Sequence, residues 1–194
     1  MWHESVGDDK FFEQLRELDL RRAESVQAAA CLHCEGGRLD RADYPRKPRG
    51  GSTAIAGESI CRRISLCCAA VGCRRRSTPA SLVFLGRRVY LGLAVLVESL
   101  RAVAGSLITP PPAARTVRRW LGWFQETLPA TRYFRAERGR FFPPVAAEGM
   151  PTSLVERFAA PGRTLAEMAQ AVLAFLAPLG ASPHLVDAAI SRER

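Results

Sequence analysis

Cys31-Leu32-His33-Cys34-Glu35-Gly36-Gly37 and, about 33 residues further on, Cys67-Cys68-Ala69-Ala70-Val71-Gly72-Cys73 decide how this chain is read. Two thiolates three positions apart can grip one metal ion from a tight turn, and the glycines behind them tolerate the positive φ such a turn demands. Tetrahedral Zn²⁺ needs four ligands, and the second pair, Cys68 and Cys73, supplies the remainder. Arg62-Arg63-Ile64-Ser65-Leu66-Cys67-Cys68 reads as a short strand that delivers a cysteine to the site. Cys67 and Cys68 point to opposite faces of such a strand, so one of them binds. Leu66 would share the inward face with Cys68, which makes Cys68 the ligand and leaves Cys67 as the alternative.

The expected metal set is therefore Cys31, Cys34, Cys68 and Cys73. Two pairs, each beside a hairpin, predict a small β zinc ribbon near the N-terminus. All six cysteines fall between positions 31 and 73. The opening MWHESVGDDK is acidic and polar, unlike a secretory or mitochondrial leader, so a disulfide framework is the lesser use and a cytoplasmic protein is expected. Cys61 reads as a spare thiol, and His33 as a solvated turn residue rather than a substitute ligand. A closed four-cysteine site makes the zinc structural, holding a core-poor segment together, with no open position for catalysis.

Working outward, the chain has 194 residues, enough for one ordinary domain or two small ones, and its 47% hydrophobic content excludes a wholly disordered polypeptide. The most apolar window, Val89 to Ile108, is interrupted by Glu98 and Arg101, so no membrane partner is expected. Net charge is +9, unevenly placed: −3 over residues 1–30, +13 over 31–140 and −1 over 141–194. A basic middle attracts polyanions, nucleic acid first, by releasing condensed counterions. Only Lys10 and Lys47 are lysines, and such Arg and Ala richness is also what a GC-rich genome yields.

Four regions follow: an N-terminal helix (1–30), a zinc-ribbon module (31–80), a basic helix-turn-helix-like module (81–140) and a helical C-terminal scaffold (141–194). Asp8 or Asp9 caps a helix to about Ala29, with Phe11, Phe12, Leu15 and Leu18 at helical spacing. Arg41–Glu58, rich in Pro, Gly and Arg, is expected to be an irregular loop. Arg74, Arg75 and Arg76 stand beside the metal site. A helix is expected over Ser81–Ala104 with Leu82, Leu85, Val89, Leu93, Leu96 and Leu100 inward. Gly105 and the block Pro110-Pro111-Pro112 end that element, which leaves only about Val103–Thr109 for a short helix before the next one. Another begins near Ala113 and stops before Pro129. There Val117, Trp120, Leu121 and Phe124 make a core stripe while Arg115, Arg118 and Arg119 lie on another face, as major-groove insertion requires. Thr164-Leu165-Ala166-Glu167 is a capping box, and Leu165, Met168, Val172 and Leu176 continue as a stripe to Pro178, suited to docking on the N-terminal helix or on a second chain.

A resemblance joins these features. Tyr44-Pro45-Arg46-Lys47-Pro48-Arg49-Gly50, Cys67-Cys68 through Gly72-Cys73-Arg74-Arg75-Arg76, Thr78-Pro79-x-Ser81, Phe84-Leu85-Gly86-Arg87-Arg88-Val89-Tyr90-Leu91-Gly92 and Arg115-Thr116-Val117-Arg118-Arg119-Trp120 carry it. The set resembles the zinc-ribbon and helix-turn-helix DNA-binding front end of bacterial insertion-sequence transposases. More closely, it is similar to uncharacterised bacterial proteins associated with such mobile elements. The resemblance implies duplex DNA as partner, with Arg74, Arg75, Arg76, Arg115, Arg118 and Arg119 contacting it. Only 74 residues follow Trp120, and their acids lack the spacing of a transposase catalytic domain, so no transposition chemistry is expected in this chain.

Enzyme classes fit poorly. There is no phosphate-binding Gly-rich loop with its lysine, and His3, His33 and His184 adjoin no Ser or Cys nucleophile motif. The βαβ context that a redox CxxC wants is also missing. The sequence thus predicts a mainly α, non-catalytic, zinc-stabilised DNA-binding protein. The alternative is a zinc-ribbon adaptor that binds another protein, or itself, through its C-terminal helices with incidental nucleic-acid affinity.

Overall fold

A computed structural model describes residues 9–34, 36–46, 49, 60–86, 90–101 and 112–186. Helices dominate, with small antiparallel sheets near the N-terminus. Helix α1 (Asp9–Ala28) buries Phe11, Phe12, Leu15, Asp19 and Ala23, a face repeating every three to four residues. Leu18, expected on that face, is only half-buried.

Five strands follow: β1 (Leu39–Arg41), β2 (Tyr44–Pro45), β3 (Arg62–Arg63), β4 (Leu66–Cys68) and β5 (Arg76–Ser77). The sheet order β1-β4-β5 is antiparallel, with Leu39 opposite Cys68, Arg41 opposite Leu66, and Leu66 opposite Ser77. Strands β2 and β3 continue the β1–β4 register, placing Tyr44 opposite Arg63 and Pro45 opposite Arg62. The backbone bonds Ala42 N–H to Ser65 O (2.8 Å) and Arg46 N–H to Cys61 O (2.6 Å) keep the same pairing, so the two short sheets are one bent hairpin. At the bend the Asp43 carboxylate takes the Ser65 N–H at 3.1 Å, replacing a ladder bond.

This corrects the expectation of an irregular loop over Arg41–Glu58. Its first part is strand, and Pro45 is accommodated because in a two-stranded ribbon each strand is an edge. Positions 47, 48 and 50–59 lie outside the described residues.

The expected helix over Ser81–Ala104 is also corrected. Only α2 (Gly92–Leu100) is helical among the described positions, while Ser81–Leu85 is buried irregular chain. Leu82, Val83, Phe84 and Leu85 are all buried, a continuous apolar run rather than a helical stripe, and Gly86 turns the chain at φ +65°. Residues 87–89 and the expected helix Val103–Thr109, with Pro110 and Pro111, lie outside the described residues.

Helix α3 (Ala114–Gly122) passes into a π-helical turn, Trp123–Thr127, and then α4 (Leu128–Ala130). The helical path thus runs through Pro129 instead of stopping before it. In an α-helix the Pro129 ring would strike the carbonyl of Gln125. The wider turn, in which Leu128 N–H bonds Trp123 O five residues back, moves the preceding backbone off that geometry. Helices α5 (Arg132–Arg138), α6 (Thr152–Phe158) and α7 (Leu165–Leu176) follow, then a 3-10 turn at Ala177–Gly180, and residues 183–186 are helical again. The capping box at Thr164 is present in both directions.

Helices α2 and α7 sit between two hydrophobic clusters, which explains why α2 is apolar on nearly every side. Leu93, Ala94 and Val97, with Ala169 and Leu173, pack with Phe11, Phe12 and Leu15 of α1. Val95 and Leu96, with Val172, Phe175 and Leu176, pack with Trp120, Phe124, Leu128 and Phe134. The predicted stripe of α7 therefore divides: Leu165 packs with the cluster that holds α1, to which Ala169 and Leu173 also belong, while Val172 and Leu176 pack with α2 and α3. No helix among the described residues is long and apolar enough to cross a membrane.

Candidate metal centre

A third, much smaller cluster forms around the cysteines: Cys31, Leu39, Leu66 and Cys68 are buried, with only Val26, Ala70 and Cys73 packed against them. The hairpin supplies Cys68 from the end of β4, and the turn Ala69–Cys73 returns the chain into β5 with Cys73 on the way. The turn after α1 supplies Cys31 and Cys34, tied to the sheet by Gln27 Nε2 donating to Leu39 O at 2.8 Å.

The four sulfurs all lie within 4.8 Å of one another. Cys31 Sγ is 3.8 Å from Cys73 Sγ, and Cys34 Sγ is 3.6 Å from Cys68 Sγ. A disulfide needs about 2.05 Å, so these are separate thiols. Four sulfurs each about 2.3 Å from one ion stand about 3.8 Å apart at the corners of a tetrahedron. These two spacings fit that figure, and with all four sulfurs within 4.8 Å the Cys₄ cluster can hold a metal ion.

Backbone donors are already aimed at the sulfurs. His33 and Cys34 N–H groups point at Cys31 Sγ, Gly37 N–H at Cys34 Sγ, and Ala70 N–H at Cys68 Sγ. Burial opposes ionisation of Cys31, but the His33 and Cys34 N–H groups and the neighbouring thiols outweigh it, and its pKa is drawn down to about 7. At Cys68 the Ala70 N–H favours the thiolate, yet burial and the other three sulfurs prevail and push it up to about 12. Cys34 is likewise raised: the Cys68 thiol and the Gly37 N–H favour its thiolate, but burial and the Cys73 and Cys31 sulfurs prevail. Four thiols packed together without a cation cannot all ionise; a divalent ion supplies the missing charge.

Cys67 lies across the strand from Cys68, outside the cluster, with its Sγ 3.5 Å from Arg74 O. Cys61 is half-buried and also outside it. Two features differ from their reading in the sequence, which assigned Gly37 a positive φ and left His33 to solvent. At Gly37 a Cβ would meet Cys68 Sγ at 2.6 Å and Cys34 Sγ at 2.8 Å, so this glycine is required by space. Gly36 is the one that supplies the positive φ, at +138°. The second feature is a clasp: His33 is exposed but its ring lies 4.3 Å from that of His184, whose Nε2 is 3.0 Å from Ser77 Oγ. Burial, and then the neighbouring His33, lowers the His184 pKa. This brings the C-terminal segment onto the metal-centre turn. A contact spanning so much chain leaves no local periodicity to find.

The arginines separate into two groups. Arg74, Arg75, Arg115, Arg118 and Arg119 are exposed and make no ion pair among the described residues. Arg74 holds a left-handed φ of +46° where the chain leaves the Cys73 turn. Arg76, also exposed, is engaged within the fold: its Nη1 donates to Ala42 O at 3.0 Å, and its guanidinium lies 5.9 Å from the Tyr44 ring centre. On α3, Trp120 is buried against Tyr90, with ring centres 4.8 Å apart, and the three arginines occupy the opposite, solvent side.

Neither a family description, nor a curated protein, nor a solved structure matches this chain. Its function is argued from the site alone.

Proposed function

We propose that this chain is a non-catalytic, zinc-stabilised DNA-binding protein, with a zinc ribbon and a helix-turn-helix-like pair related to the recognition modules of insertion-sequence transposases. Zn²⁺ fits the Cys₄ cluster because soft thiolates in a tetrahedral set favour it and no coordination position remains open for a substrate. The ion would hold the hairpin closed where only a few apolar side chains do so.

The observation that carries the reading is the set of five exposed guanidinium groups on Arg74, Arg75, Arg115, Arg118 and Arg119, none with an acidic partner among the described residues. Arginines left without counter-charges in a chain of net charge +9 favour a polyanion. Helix α2 packs against α3 and leaves the arginine face outward, the disposition by which a helix lies against duplex DNA. The adaptor reading is less well supported, since α7 spends its apolar face on α1 and α2.

The test is the salt dependence of duplex affinity. Replacing Arg115, Arg118 and Arg119 together by alanine is expected to flatten the slope of log K against log salt by about 2.7, near 0.9 for each phosphate contact. An unchanged slope would remove α3 from the interface.

A further inference from the structure

Among the described residues, Phe142 is the one phenylalanine, tyrosine or tryptophan side chain left exposed. The Phe142 side chain is 96% exposed, at the end of a segment that carries Arg132, Arg135, Arg138 and Arg140 against Glu137 alone. A phenylalanine ring offers a large apolar area that folding normally hides. Its neighbours are anchored. Phe141 turns inward, with its ring centre 5.6 Å from that of Phe158 and 6.0 Å from that of Phe175, and Val145 is buried on the other side. Pro143 and Pro144 restrict the backbone between these anchors. The backbone that carries the ring is thus restrained, which leaves its side-chain torsions to be fixed on binding.

Charge says what covers it. Arg135 and Arg140 are exposed on the same segment, Arg140 bonded to Glu137 at 3.2 Å, while Arg138 is turned back over the Phe134 ring at 5.7 Å. Cations on the same segment as an exposed ring match a polyanion that also presents π-faces, and unpaired nucleobases are that ligand. The one neutral polar side chain of Arg132–Phe142, Tyr133, donates its hydroxyl to Phe175 O at 2.7 Å, so the segment offers no such group of its own for reading a 2′-hydroxyl.

We infer that the Arg132–Phe142 segment is a second nucleic-acid contact, in which Phe142 stacks on an unpaired base of single-stranded DNA while Arg135 and Arg140 meet its phosphates. The inference rests on the nucleic-acid reading above, which it extends from duplex to unpaired strand. It fits a protein that meets DNA where the duplex is opened.

The experiment uses the full zinc-loaded chain, with fluorescence anisotropy on labelled oligothymidine of about 12 nucleotides and on a duplex of the same length. Phe142→Ala is expected to weaken oligothymidine binding about tenfold. Phe142→Trp is expected to retain it, and neither variant should alter duplex affinity by more than about twofold. Circular dichroism of each variant reports on the fold. Oligothymidine binding unaffected by Phe142→Ala, or an equal loss for both ligands, overturns the inference while leaving duplex binding standing. Oligouridine bound about tenfold more tightly than oligothymidine overturns the choice of DNA. Failure of the parent chain to bind either DNA overturns the nucleic-acid reading itself.

Discussion

Cys67 and Cys68 differ by one position and by everything that matters chemically. Pleating alternates their side chains, so Cys68 enters the sulfur cluster and Cys67 faces away from it. Gly37 lies close enough to two of the sulfurs that a methyl group there would displace them. Zinc titration of three variants separates these roles. Cys67→Ser is expected to bind one Zn²⁺ with parental affinity, and Cys68→Ser to lose tight binding. Gly37→Ala is expected to fall between them, about 10- to 100-fold weaker, as when a supporting residue of a metal site is altered. Full occupancy in Cys68→Ser would move the ligand assignment to Cys67.

At the scale of elements, the departures from sequence-based expectation arise where the surrounding structure outweighs a local signal, whether hydrophobic period, composition or a proline. Leu82–Leu85 buries every side chain and so carries no period to separate helix from irregular chain. Pro129 is a helix breaker only within α-helical geometry, and the π turn before it removes that condition. Gly122, last residue of α3, has nothing within 4 Å of where a Cβ would stand. Gly122→Ala is therefore expected to stabilise the protein by about 0.5–1 kcal/mol, through the lower conformational entropy of the unfolded chain. A shift of the urea midpoint in the opposite direction would mean that the helix-to-π junction needs glycine for a reason other than space.

Across the whole molecule, Asp19 and Arg63 couple the sheet end to the helical core. Asp19 is buried on α1, where its carboxylate accepts from the Ser81 hydroxyl and, at 2.7 Å, from the Leu82 N–H. Arg63, 1% exposed, donates to Pro79 O and, at 3.4 Å, to Gly180 O, drawing the hairpin, the largely buried 79–85 segment and the end of the 3-10 turn together. Burial raises the Asp19 pKa above its ordinary value of 3.8, against the lowering effects of Ser81, Leu82, Arg63 and Arg22. A folded-state pKa above the unfolded one means that this carboxyl contributes its stability fully below about pH 3.9 and loses it as pH rises through the folded value. Asp19→Asn resembles the protonated form. It is expected to gain stability relative to the parent as pH rises from about 4 to 7, as urea unfolding at a series of pH values can show. A constant difference over that range would mean that Asp19 ionises in the fold without penalty.

The metal-centre cysteines were legible in the sequence because a chelating turn is local. CxxC with glycines behind it, and a second close pair delivered by a strand, need only a few residues of backbone to be understood. The first helix, the capping box of α7 and the arginine face of α3 were legible for the same reason, since helical period and capping are written within one or two turns. Tertiary structure alone decided that the strands of the hairpin run on past Arg41, that Ser81–Leu85 is not helix, and that the stripe of α7 divides between the cluster with α1 and the cluster with α3. It also decided that Gly37 is a matter of space and that His184 rests on His33. Each of these depends on groups far apart in the chain, and packing, not local propensity, sets the free energy of such contacts.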